Sequence, residues 1–587
     1  MKIYEKGWVD IGKGASYASA RSDHWMGLGS MVECSRPENG GIAKQGSNFM
    51  TVEPATDKHS LTKSPTSRPQ RNWPTFFLLL VIPLMGFGLI LYETKIGPGI
   101  NGDSIQYIMG AENLAAGNGF SRISGGGELR PITGFAPLYS TVLAGLSLVG
   151  LDIYQAARIL NALLFGANIF LVAQLLFRYT GTPWLALFGS ALVLASDTQI
   201  QFHIMALTEP TFIFFMLLAI YGLTQYLDTN NPFMLLLSAV AVSLGSLTRY
   251  VGVSMTATGL ILIFFLSKNS WKRRILDCII FGGVSLLPAF LWLRRSTSDN
   301  GTLANRIISF HPMSTTIARV YVAEVASWFV PRVLGLPRPI RNVLVALLAL
   351  PWPALFFFRE GKAFFGKKDV QHRPLWSLPW ALVLNSVILI IVLVVNTSLL
   401  DAGTPVSAPP RYLTPVFVST VILFVIVLFR LSQRIERQTI IRFVPLAYGA
   451  LLVILYAITS MPMVRNPMTA IGYLGYIEQR QDAQQELQSL DPEVPIISNN
   501  PEMLYAFIHR SAYMWPIEFD HYVQQDREDF DQQVAAVREK LEQGGVLVVF
   551  GWPVGAETLV FDVLGAERLS SFIDITLFGY PEAIGNE

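Results

Sequence analysis

Residues 101–140 read NGDSIQYIMGAENLAAGNGFSRISGGGELRPITGFAPLYS, a polar, glycine-rich stretch that follows an apolar block of membrane-spanning length. The stretch holds one aspartate, Asp103, shortly after that block. The residues from 104 to 116 have helical character and end at the sequence Gly117-Asn118-Gly119, and aspartate is a favoured N-cap residue. On spacing alone, Asp103 is more readily interpreted as a helix cap than as a catalytic base.

The composition around this stretch is that of a membrane protein. The 587 residues are 51% hydrophobic and 15% charged, whereas soluble domains carry about a quarter charged residues. Apolar blocks recur at about 73–92, 132–150, 157–177, 183–196, 205–227, 232–248, 251–267, 275–293, 342–358, 376–399, 412–429 and 443–461. We therefore predict a polytopic α-helical protein in a lipid bilayer. The net charge of +2 gives no indication of nucleic-acid binding, and Cys34 and Cys278 predict neither a disulfide nor a metal site.

Basic clusters predict the orientation of the chain. Residues 1–72 are polar and predict a disordered cytoplasmic tail, and basic clusters at 268–274, 359–373 and 430–442 also predict the cytoplasmic side. These assignments agree only if one block before 268 does not cross, and the short block 183–196 is predicted to be re-entrant or a half helix. About 11 transmembrane helices result, with loops 93–131 and 295–341 and everything after about 462 outside. Arg158 then lies on the cytoplasmic side as an orientation signal.

Two outer regions have recognisable patterns. Apolar residues recur at helical spacing between Ile317 and Trp328, which predicts an amphipathic interfacial helix anchored by Trp328. The segments PIIS (495–498), NPEMLYAFIHR (500–510), GGVLVVF (544–550) and ETLVFDVLG (557–565) predict strand, helix, strand and helix. Residues 462–587 are therefore predicted to form a small extracytoplasmic α/β domain after a membrane domain at 73–461. No glycine-rich phosphate motif indicates a nucleotide there.

Four charged residues fall at the predicted outer ends of apolar blocks: Asp103, Glu209 in the sequence TEP, Arg249, and Arg411 beside Tyr412. A helix start explains Glu209 equally well, and snorkelling toward the interface explains the arginines. An arginine fork also matches phosphate oxygens, so the set predicts a site for a lipid-linked phosphate. His203 and His311 are isolated, and no metal-binding spacing is present. We predict no cofactor, and dependence on a divalent metal stays open.

The order of several segments resembles the C-type glycosyltransferase superfamily, which includes the dolichyl-phosphate-mannose protein mannosyltransferases and the lipid A aminoarabinose transferases. These segments are GDSIQYIMGAENLAAGNGF (102–120), FAPLYSTVLAGL (135–146), ALTEPTFIFF (206–215), LGSLTRYVG (244–252) and RYLTP (411–415). Two departures weaken assignment to one subfamily. Asp103-Ser104 stands where the superfamily often has Asp-Glu, and Ala136 replaces the first proline of a Pro-Pro-Leu-Tyr motif.

The resemblance implies a cell-membrane glycosyltransferase that moves a hexose or pentose, with inversion, from a polyprenyl-phosphate donor to a lipid, glycan or protein acceptor outside. It implies that Asp103 is the general base and that Arg411 and Arg249 neutralise the departing phosphate. Glu209 would position acceptor or sugar, and Tyr107, Tyr139 and Tyr412 would line the site. Two alternatives stay open: a transporter or flippase of lipid-linked sugars, and a polysaccharide polymerase or ligase. Candidate residues at helix ends rather than midpoints favour an interfacial enzyme.

Overall fold

The computed structural model describes residues 73–580 except 301–307, 309, 311, 350–376, 401–408, 435–442, 466–472, 521–524, 554 and 573. The predicted tail of residues 1–72 lies outside the described residues. The first helices are α1 (Trp73–Glu93), α2 (Gly102–Ala115), α3 (Leu138–Ser147), α4 (Ile153–Thr180), α5 (Pro183–Leu194), α6 (Asp197–Ile204), α7 (Glu209–Thr229), α8 (Pro232–Thr248), α9 (Val253–Leu266) and α10 (Trp271–Asn300). A hairpin of β1 (Ser121–Ile123) and β2 (Leu129–Pro131) follows α2.

The second half completes the helical bundle. Its helices are α11 (Thr315–Phe329), α12 (Arg338–Ala349), α13 (Ser377–Leu399), α14 (Pro409–Arg434) and α15 (Val444–Arg465). Within the described residues, seven helices are long and apolar enough to cross a membrane: α1, α4, α7, α10, α13, α14 and α15. The bent pair α5–α6 supplies an eighth if it forms one span. The prediction of a polytopic helical membrane protein is confirmed, and the count of eleven crossings stays a prediction.

Polar residues define where the long helices begin and end. The Asp152 carboxylate accepts hydrogen bonds from the backbone N–H groups of Tyr154 and Gln155, which caps the start of α4. Gly181 ends that helix in the left-handed region at φ 66°, a conformation that costs glycine little. With these two ends, α4 has 28 residues and is long enough to extend from one end of the bundle to the other.

The start of α4 lies at the same end of the bundle as Asp103, which we call the site end. Arg158 donates to the carbonyl of Leu91 at 3.0 Å and to the hydroxyl of Thr94 at 3.3 Å, at the end of α1. Between the end of α1 and the start of α4, the apolar block at 132–150 forms only α3, whose 10 residues are too few to cross a membrane. The placement of Arg158 on the opposite, cytoplasmic side is therefore wrong, and the apolar block at 132–150 folds back at the site end.

The bent pair α5–α6 crosses the bundle in place of the apolar block at 132–150. It leaves the far end of α4 at Pro183, and the chain returns at Met205, whose carbonyl accepts from Asn161 of α4. Gly99, just after α1, pairs with Met205 as an isolated parallel bridge. Because Asn161 and Thr180 are about 28 Å apart along α4 at 1.5 Å per residue, the pair joins opposite ends. The prediction that 183–196 is re-entrant or a half helix is therefore refined, because α5 is the first half of a broken span.

The opposite end of the bundle carries interlocked polar residues. Arg178 pairs with Asp228 at 2.6 Å, and Ser377 donates to the other oxygen of the same carboxylate at 3.0 Å. Arg430 donates to the hydroxyl of Tyr179 there. The basic segment at 268–274 also follows α9 at this end. The described residues of the basic clusters at 268–274 and 430–442 thus lie at one end of the bundle, as the positive-inside rule predicts. Which end faces the cytoplasm stays a prediction.

Cysteine labelling distinguishes the two topologies. In a variant without Cys34 and Cys278, an impermeant thiol reagent is expected to label Gln155→Cys and Ala116→Cys from the same side of the membrane. Thr229→Cys, at the far end of α7, is expected to be labelled only from the other side. Labelling of Gln155→Cys together with Thr229→Cys would restore the topology in which block 132–150 crosses.

Helix α11 is packed within the protein instead of lying in the interface. Trp328 is 7% exposed, its ring contacts Phe417 at 5.4 Å, and its carbonyl accepts from the hydroxyl of Tyr456 at 2.6 Å. The spacing does produce an amphipathic helix, but α14 and α15 cover the apolar face of that helix. The interpretation of Trp328 as an interfacial anchor is therefore wrong.

The chain ends in the predicted α/β domain. Its helices are α16 (Tyr473–Glu478), α17 (Gln481–Ser489), α18 (Pro501–Ile508) and α19 (Phe530–Glu542), and its strands are β3 (Ile496–Ser498), β4 (Tyr513–Met514), β5 (Phe519–Asp520), β6 (Gln525–Asp526), β7 (Val546–Phe550), β8 (Glu567–Ser571) and β9 (Ile575–Gly579). Strands β4, β3 and β7 are parallel, and β9 and β8 continue the sheet antiparallel in the order β4-β3-β7-β9-β8. The predicted segments at 495–498, 500–510 and 544–550 have the expected structure, and Thr558–Val563 is a π-helix.

Candidate active site

Asp103 lies in the first turn of α2 but does not cap it. The cap is Asn101, whose side-chain oxygen accepts from both the backbone N–H and the hydroxyl of Ser104 at 3.0 Å. This leaves the Asp103 carboxylate available for other partners, and its side chain is 38% exposed. The interpretation of Asp103 as the N-cap is therefore wrong.

The four charged residues selected from the sequence meet at the site end. Arg411, at the start of α14, donates from Nη1 to Asp103 at 2.5 Å and from Nε to Glu209. Arg249, at the end of α8, donates from Nη1 to the same Glu209 oxygen at 2.5 Å. Four separate helices thus contribute one continuous network of alternating charge, which we call the site network.

Burial differs sharply along the site network. The Glu209 side chain is 2% exposed, whereas those of Arg411 and Arg249 are 12% and 18% exposed. A buried carboxylate is tolerable only if it is paired, and Glu209 is paired with two guanidinium groups. Glu209 is therefore enclosed, whereas Asp103 is the most exposed member of the site network, and we call this exposed side of the network the opening. This geometry does not fit the prediction that Glu209 contacts acceptor or sugar.

The predicted site tyrosines have different surroundings. Tyr139 is 0% exposed and donates its hydroxyl to Asn161 at 3.3 Å, so it cannot line an open site. Tyr107 is 5% exposed and packs edge-to-face against Phe135 and Tyr139. Burial, and next the Asp103 carboxylate, raise the pKa of Tyr107, which keeps its hydroxyl neutral near the site network.

Tyr412 is half-buried beside Arg411 and remains in a position to line the opening. The prediction that Tyr139 lines the site is wrong, because its side chain is fully buried and its hydroxyl is bonded to Asn161. The four-residue motif at 136–139 gave no indication that Tyr139 would be buried.

Two polar residues of the site were not selected from the sequence. Thr208, which precedes Glu209, accepts from Arg249 at 3.1 Å through its hydroxyl. It makes no side-chain capping bond. Asn101 fixes the start of α2 and so the position of Asp103. Both lie within two positions of a selected acid, in the sequences NGDS (101–104) and LTEP (207–210), so closeness along the chain was the signal that could have found them.

The C-terminal domain contacts the helix that carries Asp103. Gln106 donates to Glu502 at 3.2 Å, and the hydroxyl of Tyr505 donates to Glu112 at 2.6 Å. Burial raises the pKa of the Glu112 carboxyl, and the bond from Tyr505 opposes that shift only in part. Helix α2 is thus held in place both by α18 and by the site network.

Removing the Tyr505 hydroxyl is expected to loosen this junction. Tyr505→Phe leaves a largely buried Glu112 oxygen without its donor, which costs about 1–3 kcal/mol. The measurement is the unfolding free energy of purified protein in lipid nanodiscs. Tyr92→Phe, which alters an exposed ring at the end of α1, is the matched control and should change nothing. Equal stability of both variants would show that the Glu112 bond contributes nothing.

Throughout the described part of the chain, no group of three or more His, Cys, Asp or Glu side chains is arranged to hold a metal ion. His203 is fully buried, with its Nδ1 2.7 Å from the carbonyl of Gln199 and its Nε2 3.1 Å from Asn168. It fills the core beside Phe165. His311 lies outside the described residues.

Comparison with known proteins supports the class of fold. The sequence model of the dolichyl-phosphate-mannose-protein mannosyltransferase family matches residues 125–297. The crystal structure of ArnT from Cupriavidus metallidurans bound to undecaprenyl phosphate has a TM-score of 0.54 at 15% identity, covering 88% of this chain and 100% of that chain. The apo-state ArnT structure from the same organism gives 0.53 at 15% identity, covering 88% and 99%.

The archaeal oligosaccharyltransferase AglB from Archaeoglobus fulgidus matches with a TM-score of 0.43 at 12% identity, covering 88% of this chain and 75% of that chain. No curated protein matches the sequence. The chain has the fold of the C-type glycosyltransferases, and the resemblance stated from its sequence motifs is confirmed.

Proposed function

We propose that this protein transfers a sugar from a polyprenyl-phosphate donor to an acceptor hydroxyl at the outer face of the membrane, with inversion at the anomeric carbon. The observation that carries the proposal is the site network. Two arginines and two acids from four helices converge at one bundle end, next to an opening where Asp103 is accessible. Guanidinium groups at a low-dielectric boundary suit a lipid-linked phosphate.

The proposed reaction is a single displacement. The acceptor oxygen forms a bond to the anomeric carbon, and its proton passes to the Asp103 carboxylate. The bond from that carbon to the phosphate oxygen breaks, and the polyprenyl phosphate departs with the electron pair. Arg411 and Arg249 stabilise the negative charge that develops on the phosphate.

Arg411 also controls when Asp103 can act in this scheme. In the structure the Arg411 guanidinium donates to a carboxylate oxygen of Asp103, so this oxygen is occupied by a hydrogen bond and not free to accept a proton. A donor phosphate competes with Asp103 for the same guanidinium group. Donor binding would therefore release the base at the moment when the acceptor must be deprotonated.

Glu209 has a positioning role in this proposal. Its Oε1 accepts from both arginines, so it keeps two cations close together that would otherwise repel each other. It is too enclosed to reach a sugar. The likeness to ArnT, whose structure holds undecaprenyl phosphate, supports a lipid phosphate as the common ligand chemistry.

A release assay tests the proposed function. Purified protein in nanodiscs is incubated with labelled undecaprenyl-phosphate and dolichyl-phosphate sugars, and free lipid phosphate is measured together with sugar products. Enzymatic transfer predicts both products in equal amounts, or lipid phosphate and free sugar when water is the acceptor. Movement of intact donor across a bilayer without release of lipid phosphate would instead establish a transporter.

A further inference from the structure

A cavity of about 480 Å³ lies between the first outer loop and the C-terminal domain. Gln106 and Met109 of α2 form one wall, the β1–β2 hairpin a second, and α18, β4 and the end of α19 a third. Gln106 stands three positions after Asp103, and residues with that spacing are neighbours on one helix face, about 5–6 Å apart. The cavity therefore begins about one helical turn from the proposed base.

The charges around the cavity are mainly positive. Its lining holds three cations, Arg122, Arg130 and Lys540, and two carboxylates, Glu128 and Glu502. Glu128 pairs with Arg130 at 3.4 Å, and Glu502 accepts from Gln106. Among the residues that the structure describes, no carboxylate lies within ion-pair distance of Arg122 or Lys540. Two cations thus remain for a ligand.

The location of Lys540 makes the positive charge notable. Residues 477–587 contain 20 acidic residues and only 6 Lys and Arg, so this domain repels anions over most of its surface. Lys540 is one of those six, and its ammonium lies 4.0 Å from the ring centre of Tyr513, which forms part of the cavity wall. The ring face holds the ammonium by a cation–π contact, which fixes a positive charge at the cavity wall and suits an anionic ligand.

The glycine turn of the hairpin holds this wall in place. A Cβ on Gly125 would lie 2.5 Å from Cγ of Tyr513 and 2.6 Å from its backbone nitrogen. A Cβ on Gly126 would lie 2.8 Å from the hydroxyl of Tyr513. The close approach of hairpin and β4 therefore requires glycine at position 125, where a Cβ would meet backbone, whereas at position 126 it would meet only the end of the Tyr513 side chain. The cavity is a fixed junction of two outer elements and not a chance gap.

We propose that this cavity is the acceptor subsite and that it binds a sugar or glycan bearing a phosphate or carboxylate. This inference rests on the proposed transfer reaction and specifies its acceptor class. Arg122 and Lys540 bind the anionic group, Tyr513 holds the Lys540 ammonium in the cavity wall, and the hydroxyl to be modified extends along α2 toward Asp103.

Binding can be measured independently of catalysis. The full chain in nanodiscs is titrated calorimetrically with glucose 1-phosphate, glucuronate, glucose and inorganic phosphate. We expect glucose to bind at least about ten-fold more weakly than an anionic sugar. Binding confined to glucose 1-phosphate or to glucuronate identifies which anion is preferred. Glucose binding as tightly as both anionic sugars, or inorganic phosphate binding as tightly as glucose 1-phosphate, would overturn the proposal.

Variants locate the bound probe. Arg122→Glu and Lys540→Glu should each weaken glucose 1-phosphate binding at least about ten-fold, while Lys272→Glu, an exposed lysine of α10, should leave it unchanged. Thermal unfolding checks that each variant folds, and Lys540→Gln provides a milder change if Lys540→Glu does not. Arg411→Ala should still bind the probe.

Loss of binding in Arg411→Ala with retention in both cavity variants would place the probe in the site network and overturn the acceptor assignment. Failure of the lipid-phosphate release assay would instead remove the proposed function. Because calorimetry needs no turnover, the two failures are distinguishable.

Discussion

Replacing Arg411 with alanine is expected to lower kcat/KM for sugar transfer by at least about 100-fold. Arg411 links Asp103 to Glu209, and in the proposed reaction it binds the departing phosphate. Its loss removes stabilisation of the developing charge and leaves Glu209, almost fully buried, with Arg249 as its remaining ionic partner. The measurement is the initial rate of lipid-phosphate release at several donor concentrations.

The same helix offers a matched control. Arg430→Ala removes an arginine from the opposite end of α14, where the side chain contacts Tyr179, and should leave kcat/KM unchanged. Arg411→Lys keeps the charge but loses the planar fork that reaches two acids at once, so little activity should return. Transfer at the wild-type rate in Arg411→Ala would exclude this residue from the reaction.

Replacing Asp103 with asparagine is expected to reduce transfer by about 10²–10⁴-fold, the usual contribution of a general base. The change keeps the shape of the side chain and removes its charge and basicity. Donor binding should persist and can tighten, because Arg411 loses a competing carboxylate. The rate of transfer and the donor Kd are both measured on protein in nanodiscs.

Asp562→Asn provides the control for the same chemical change, because that aspartate is exposed in the C-terminal domain. Asp103→Glu should restore part of the activity, since a carboxylate returns on a longer side chain. Unchanged transfer in Asp103→Asn would show that another group accepts the proton, and a collapse of donor binding would show that Asp103 serves the donor instead.

The sequence predicted which charged residues meet because helix ends are defined by local signals. Glu209 follows Thr208 at a proline-marked helix start, and Arg249 and Arg411 stand at apolar boundaries. The count of crossings placed them on one side because its two errors, at 132–150 and 183–196, cancel. The alternating strand and helix patterns after residue 495 also identified the α/β domain. These features depend on neighbours within a few positions along the chain.

Features that depend on distant contacts were not predictable in this way. Block 132–150 is apolar enough to cross, yet only 10 of its residues form α3, and the contact of Arg158 with α1 shows that the chain stays at the site end. Trp328 was assigned to the interface because amphipathic spacing does not reveal what covers a face, and the resemblance that suggested Tyr139 as a lining residue does not reveal its burial. The sharing of one Glu209 oxygen by two arginines likewise arises only in three dimensions.

A structure of this protein with bound polyprenyl phosphate tests the central claim most directly. The account predicts that the phosphate contacts Arg411 and Arg249, that the bond between Arg411 and Asp103 is broken, and that the Asp103 carboxylate faces the opening. A phosphate bound elsewhere, with the Arg411–Asp103 pair intact, would contradict it.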